Sequence, residues 1–186
     1  MTAPVMNAAD TRQHATFTAL MWALSYPGRA TRLPAAGLDA LALIGETLVD
    51  LETGFFTPDA MLTAHLARTG GRNLPPDAAP YQFYPRLGRA DLDLLATAPV
   101  GSHADPDLAA TIVIGCPLGW DTRLRLSGPG IAGTREVLIA GLPNALWSLR
   151  AATARAPLGW DLFLVMDSAV LGLPRTTTVE VLAWPM

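Results

Sequence analysis

The chain has 186 residues, of which 51% are hydrophobic and 16% charged, and its 13 basic and 16 acidic side chains leave a formal net charge of −3. That length and apolar content exclude a mainly disordered chain and are enough for a buried core. The absence of a basic surplus excludes nucleic acid as an expected main ligand, and the single cysteine, Cys116, excludes an internal disulfide framework.

Taken in order, residues 1–12 carry no apolar periodicity and are expected to form a poorly ordered tail on one domain spanning 1–186. They also lack the basic and apolar segments of a secretory signal, so a cytoplasmic protein is expected. Phe17, Leu20, Met21 and Leu24 recur at i, i+3, i+4 and i+7, the stripe of an amphipathic helix, and Pro27-Gly28 ends it. A second helix is predicted over 38–49 and a short aromatic strand over 54–57. Thr57-Pro58-Asp59 reads as an N-cap, a proline at the first helical position and a first-turn acid, and Gly70-Gly71 as the stop. Four prolines between 74 and 85 mark a loop with one strand at 81–84.

The second half is richer in strands. Residues 111–116 form a continuous apolar run of buried-strand length, and 122–127 alternate Leu124 and Leu126 against Arg123 and Arg125. A strand is predicted over 137–140, then a helix over 143–155 with Leu146, Leu149 and Ala152 inward. Residues 160–166 and 169–173 flank Asp167-Ser168 as a hairpin, and 176–182 close the chain as a strand. The expected architecture is α/β, a mixed sheet with helices on both faces. The peptide Pro-Leu-Gly-Trp-Asp at 117–121 returns at 157–161, which we read as two similar turns leading into strands. No run reaches the ~20 apolar residues of a membrane span.

All 13 basic residues are arginine. Without lysine, the chain can form no Schiff base with pyridoxal phosphate and has no P-loop or kinase-type lysine. Gly128-Pro129-Gly130-Ile131-Ala132-Gly133 satisfies G-x-G-x-x-G, but Pro129 has no N–H and no acid lies about 20 residues on. A tight glycine turn between strands is the better reading, with an anion-holding loop as the alternative and an NAD(P) oxidoreductase as the weakest. His14, His65 and His103 show no metal-ligand spacing, no G-x-S-x-G is present, and Cys116 reads as a small buried hydrophobe. Arg29, beside Ser25-Tyr26-Pro27-Gly28, and Arg175, beside Thr176 and Thr177, offer guanidinium forks suited to phosphate or carboxylate. Each is a candidate phosphate contact or a surface or inter-subunit ion pair, and Gly128, Gly130, Thr176 and Thr177 join them as candidate phosphate-binding or interface residues.

Four motifs then occur in order: Phe17-x-x-Leu20-Met21-x-Ala23-x-Ser25-x-Pro27-Gly28, Leu124-x-Leu126-Ser127-Gly128-Pro129-Gly130-Ile131, Pro157-Leu158-Gly159-x-Asp161 and Pro174-Arg175-Thr176-Thr177-x-Val179-Glu180-Val181. Together they resemble PhnH, the phosphonate-utilisation subunit of the bacterial carbon–phosphorus lyase system, from about residue 13 to 182, most weakly over 51–108. The resemblance implies a three-layer α/β/α sandwich similar to the large domain of pyridoxal-phosphate-dependent transferases, but without that cofactor. It implies a homodimer that joins subunits G, I and J in a core complex. With subunits G, I and L, the family is required for transfer of ribose triphosphate from ATP to a phosphonate. ATP and phosphonate are then substrates of the complex. The resemblance assigns no catalytic residue, cofactor or metal to this chain. The alternative is a stand-alone phosphate- or nucleotide-binding enzyme on the same fold.

Overall fold

The computed structural model describes residues 7–117 and 121–183. Its centre is a seven-stranded sheet in the order β1 (Ala30–Arg32), β9 (Ala169–Leu173), β8 (Asp161–Met166), β5 (Thr111–Cys116), β4 (Tyr81–Tyr84), β2 (Gly54–Phe56) and β3 (Arg72–Asn73). Only β9 runs against the others, so the sheet is mixed but mostly parallel. The apolar run at 111–116 is continuous because β5 is covered on both faces. Val113 packs on one side, while Ile112 and Ile114 pack on the other.

One face is covered by three helices, α1 (Ala8–Ser25), α2 (Gly37–Leu48) and α3 (Ala60–Leu66). Leu20, Leu41, Ile44 and Leu62 meet Phe55, Phe83, Phe163 and Val170 there. The opposite face carries α4 (Asp91–Leu95) and α5 (Ala145–Thr153) together with a second, antiparallel sheet in the order β10 (Thr178–Leu182), β6 (Thr122–Ser127) and β7 (Arg135–Ile139). Leu124, Leu126 and Ile139 from this small sheet join Leu146 and Trp147 of α5 against Leu162, Leu164 and Leu173. The expectation of one mixed sheet clothed by helices therefore holds for the main sheet and fails for the closing strands. The half-apolar alternation of β6 is the reason: only its leucine face is buried, and its arginine face reaches solvent.

The hairpin predicted around Asp167-Ser168 is present as β8–β9, with Asp167 at φ 54 in the left-handed region that Asp tolerates in tight turns. Several local expectations are corrected. Of the expected tail, residues 1–6 lie outside the described residues, whereas 8–12 are helical, because Asn7 and Asp10 form a capping box: Asn7 Oδ1 accepts from Ala9 and Asp10 N–H, and Asp10 accepts from Asn7 N–H. The inward face of α1 is Thr16, Ala19, Leu20 and Ala23, with Leu24 half-buried. Phe17 and Met21 of the expected stripe point outward. Small residues win this face because α1 lies directly on Gly172 of β9: a Cβ there would stand 2.6 Å from the carbonyl carbon and oxygen of Ala23. The N-cap of α3 is Asp59, two residues after Thr57, with its Oδ1 accepting from Leu62 N–H at 2.7 Å. α5 buries Trp147 and Arg150 rather than Ala152, which is exposed. Of the two Pro-Leu-Gly-Trp-Asp copies, 118–120 lie outside the described residues, and Asp121 and Asp161 lead into β6 and β8.

Candidate functional site

The motif-bearing residues converge at the amino-terminal ends of β5 and β8. Asp161 opens β8 and receives Arg175 three times: its Oδ1 accepts the Arg175 backbone N–H at 2.7 Å and Nε–H at 3.4 Å, and its Oδ2 accepts Nη2–H at 2.9 Å. Nη1 of Arg175 donates to the carbonyl oxygens of Pro106 and Pro157. Both side chains of the pair are about four-fifths buried (18% and 20% exposed). The fork that could grip phosphate is thus occupied by a carboxylate and two main-chain carbonyls.

Next to this pair lies a second arginine. Arg150 is 2% exposed, yet among the described residues its hydrogen bonds go to main-chain carbonyls and to no carboxylate. Its Nη atoms donate to the carbonyls of Trp160, Leu173 and Pro174, tying α5 to the start of β8 and the end of β9, and its guanidinium lies 5.7 Å from the Trp160 ring centroid. Burial pulls its pKa down to about 10, with Asp161 opposing the shift, so the group stays charged at neutral pH.

The turn from Gly128 to Gly133 joins β6 to β7, so strand and not helix follows the G-x-G-x-x-G pattern. No helix N-terminus stands there to receive a pyrophosphate, and the dinucleotide reading is removed. Gly128 and Gly130 serve close backbone approach. A Cβ on Gly128 would lie 2.8 Å from Thr176 O, and one on Gly130 would lie 2.7 Å from Ser25 O. The structure therefore brings Gly128 and Gly130 against Thr176, Thr177 and the end of α1. Thr177 is buried, its N–H donates to Pro174 O at 2.8 Å, and its Oγ1 has no hydrogen-bond partner. Arg29 stands apart from the Arg175 contacts, exposed, with its guanidinium 5.3 Å from the centroid of the Tyr26 ring.

The opposite, carboxyl-terminal edge of the sheet holds a feature that the motifs did not indicate. A half-open cleft of about 920 Å³ lies beyond the ends of β2, β4, β5 and β8 and is bordered by the first turn of α2. This is where open α/β sheets place their ligands. Its charged lining residues are Asp59, Arg86 and Asp167, over an apolar floor that includes Leu41, Leu87 and Val165. Cys116 also lines it, but burial, and then the nearby Asp121 carboxylate, push the thiol up to about 12. At neutral pH it is a protonated thiol and no nucleophile. Proline follows β2, β4 and β5 within two residues, at Pro58, Pro85 and Pro117, a recurrence visible in sequence only once the strands are known to be parallel.

Among the described residues, no group of three or more His, Cys, Asp or Glu is placed to hold a metal ion. His65 bonds Glu46 at 2.7 Å, and His14 and His103 are exposed elsewhere. No helix of the described residues is long and apolar enough to cross a membrane.

These features define an α/β protein whose motif residues are committed to holding its strands, turns and helix ends together. Comparison with known proteins agrees with the motifs: residues 5–180 match the family described as bacterial phosphonate metabolism protein (PhnH). The chain is also 36% identical over 172 residues to a putative C-P lyase subunit protein, HtxG, of Stutzerimonas stutzeri, covering 91% of this chain and 86% of that protein. The chain belongs to the PhnH family.

Proposed function

We propose that this protein is a subunit of a carbon–phosphorus lyase acting in phosphonate catabolism in the cytoplasm. Within that system, it serves transfer of ribose triphosphate from ATP to a phosphonate together with the G, I and L subunits. It is a homodimer that assembles with G, I and J and supplies structure or co-catalysis rather than a reaction of its own. The observation that carries this reading is the similarity over nine-tenths of the chain to a putative C-P lyase subunit. The geometry supports it, because Arg175, Gly128 and Gly130 are engaged in the chain's own packing. A cofactor-free relative of the pyridoxal-phosphate transferase architecture is part of the same proposal, and the absence of lysine supports it.

The test is co-expression of the tagged chain with G, I and J, followed by size exclusion with light scattering. One stoichiometric particle is expected, and omission of this chain is expected to abolish ribose-triphosphate transfer in a reconstitution with G, I and L. Full transfer without it would overturn the proposal. The alternative, a stand-alone phosphate-binding enzyme using Arg175, Thr176 and Thr177, requires Arg175 to release Asp161 when phosphate arrives. Calorimetric titration with ATP and methylphosphonate separates the alternatives. Saturable binding lost in Arg175→Ala favours that site, whereas binding lost in Arg86→Ala places the ligand in the carboxyl-edge cleft.

A further inference from the structure

The carboxyl-edge cleft holds three charged side chains that do not pair with one another. Arg86 lies two residues after β4, Asp59 three residues after β2, and Asp167 directly after β8. Among the described residues, neither the Arg86 guanidinium nor the Asp167 carboxylate makes a hydrogen bond or ion pair, and Asp59 uses only Oδ1, on Leu62 N–H. The forks of Arg175 and Arg150, by contrast, are filled from within the chain. Main-chain contacts fix all three positions. Pro85, just before Arg86, brings its carbonyl against Gly115 of β5, where a Cβ would collide with it. Asp167 sits in the left-handed hairpin turn, and its carbonyl accepts Gly37 N–H at 3.1 Å. Asp59 is held as the cap of α3.

Opposite charges that share a concave site without meeting leave a gap for a ligand that carries both signs. We propose that the cleft binds a small dipolar ion, with a phosphonate or carboxylate head on Arg86 and an ammonium group beside Asp59. A guanidinium fork matches either head, and each contact is charge-assisted. The strand order β8, β5, β4, β2 puts the Asp59 strand next to the Arg86 strand, about 5 Å away, and the Asp167 strand about 10 Å away on the other side. The nearer carboxylate therefore takes the ammonium group of a short carbon chain, and Asp167 adds its field from the far wall. The chain itself lies on the apolar floor of Leu41, Leu87 and Val165. Ligand sites of about 300–1,000 Å³ are usual, so a cleft of about 920 Å³ leaves room for substituents on that chain. Charge also sets what the cleft refuses. Two carboxylates oppose one guanidinium, and Asp91 and Asp121 stand close by, accepting from the cleft-lining Gly88 and Gly141 N–H groups at 2.7 and 2.8 Å. An anion without a cationic group, ATP included, meets net repulsion there.

This inference adds a ligand class to the functional reading and does not rest on membership of the complex. Calorimetric titration of the full chain is expected to show saturable binding of 2-aminoethylphosphonate and β-alanine at millimolar concentration. Ethylphosphonate and ethylamine, which carry one charged group each, are expected to bind about tenfold more weakly or worse, as the loss of one charge-assisted contact predicts. Tighter binding of 2-aminoethylphosphonate assigns a phosphonate head and tighter binding of β-alanine a carboxylate, and both support the site. Arg86→Gln is expected to weaken both dipolar ligands by about tenfold. Asp59→Asn keeps an oxygen for the α3 cap, and with it the melting temperature. It is expected to weaken 2-aminoethylphosphonate but not ethylphosphonate, so the preference between them shrinks, which a purely structural role for Asp59 would not cause. No binding of either dipolar ligand, ethylphosphonate bound as tightly as 2-aminoethylphosphonate, or affinities unchanged in Arg86→Gln and Asp59→Asn would each overturn the inference. Co-purification with the other subunits scores the functional reading separately.

Discussion

Replacing Arg175 by alanine tests whether its guanidinium is structural. The substitution removes the bidentate grip on Asp161 and the donations to Pro106 and Pro157, while Asp161 keeps only the Arg175 backbone N–H. Removing one partner of a fully buried ion pair costs about 3–5 kcal/mol. With each side chain about one-fifth exposed, water recovers part of that, and about 3 kcal/mol is expected. For a chain of this length, that is a fall in melting temperature of about 6–12 °C. Arg175→Lys keeps the charge but loses the fork, and should cost about half as much. The assay is urea denaturation of the wild type, Arg175→Ala, Asp161→Ala and the double variant, read as a cycle. A coupling of 1 kcal/mol or more is expected. A loss below about 0.5 kcal/mol in Arg175→Ala, with no coupling to Asp161, would refute the reasoning and return Arg175 to the pool of ligand-binding candidates.

Gly172→Ala should destabilise by about 3 kcal/mol, because the new methyl meets the backbone of α1 and not a movable side chain; a loss below 1 kcal/mol in urea would contradict the close contact. Asn7→Ala removes the side-chain half of the capping box and should cost about 1 kcal/mol in thermal unfolding, against no change if 7–12 were a loose tail. The Cys116 thiol, raised in the folded chain to about 12 from an ordinary value of 9.0, keeps its proton after the unfolded chain has lost it. Its contribution to stability is therefore complete below pH 9 and is lost as the pH rises from 9 toward 12. Urea midpoints measured over that range should fall less steeply in Cys116→Ala, and an equal slope would argue against the burial effect. At neutral pH, the native thiol should react with a disulfide reagent only after denaturant is added.

Much of the fold could be read from the chain. The continuous apolar run of β5 marked a strand covered on both faces, and the alternation in β6 marked one covered on a single face. Asp167-Ser168 announced a hairpin, and Gly70, at φ 88, ends the 3-10 turn Ala67–Thr69 that continues α3, close to the expected stop. Short elements were not legible. Strands of two or three residues such as β1 and β3 carry no period of their own and exist because a longer neighbour offers them hydrogen bonds. α4, with five residues, has too few turns to show a stripe. The face of α1 was misassigned because hydrophobicity alone placed Phe17 and Met21 inward. Packing against Gly172 rewards small residues, and that constraint comes from a strand some 150 residues away.

The candidate site shows the same division. The sequence by itself determined which residues belong to recurring motifs, and with them the family. It also determined the chemistry that a chain with no lysine and one cysteine is denied. These are statements about composition and local order, which need no third dimension. Only the tertiary structure decided that Arg175 is bound to Asp161, that Gly128 and Gly130 admit neighbouring backbone, and that a cleft opens at the far edge of the sheet. Each depends on groups far apart along the chain being brought within a few ångströms. An arginine in sequence is a set of unspent donors, and only the folded neighbours show where those donors go.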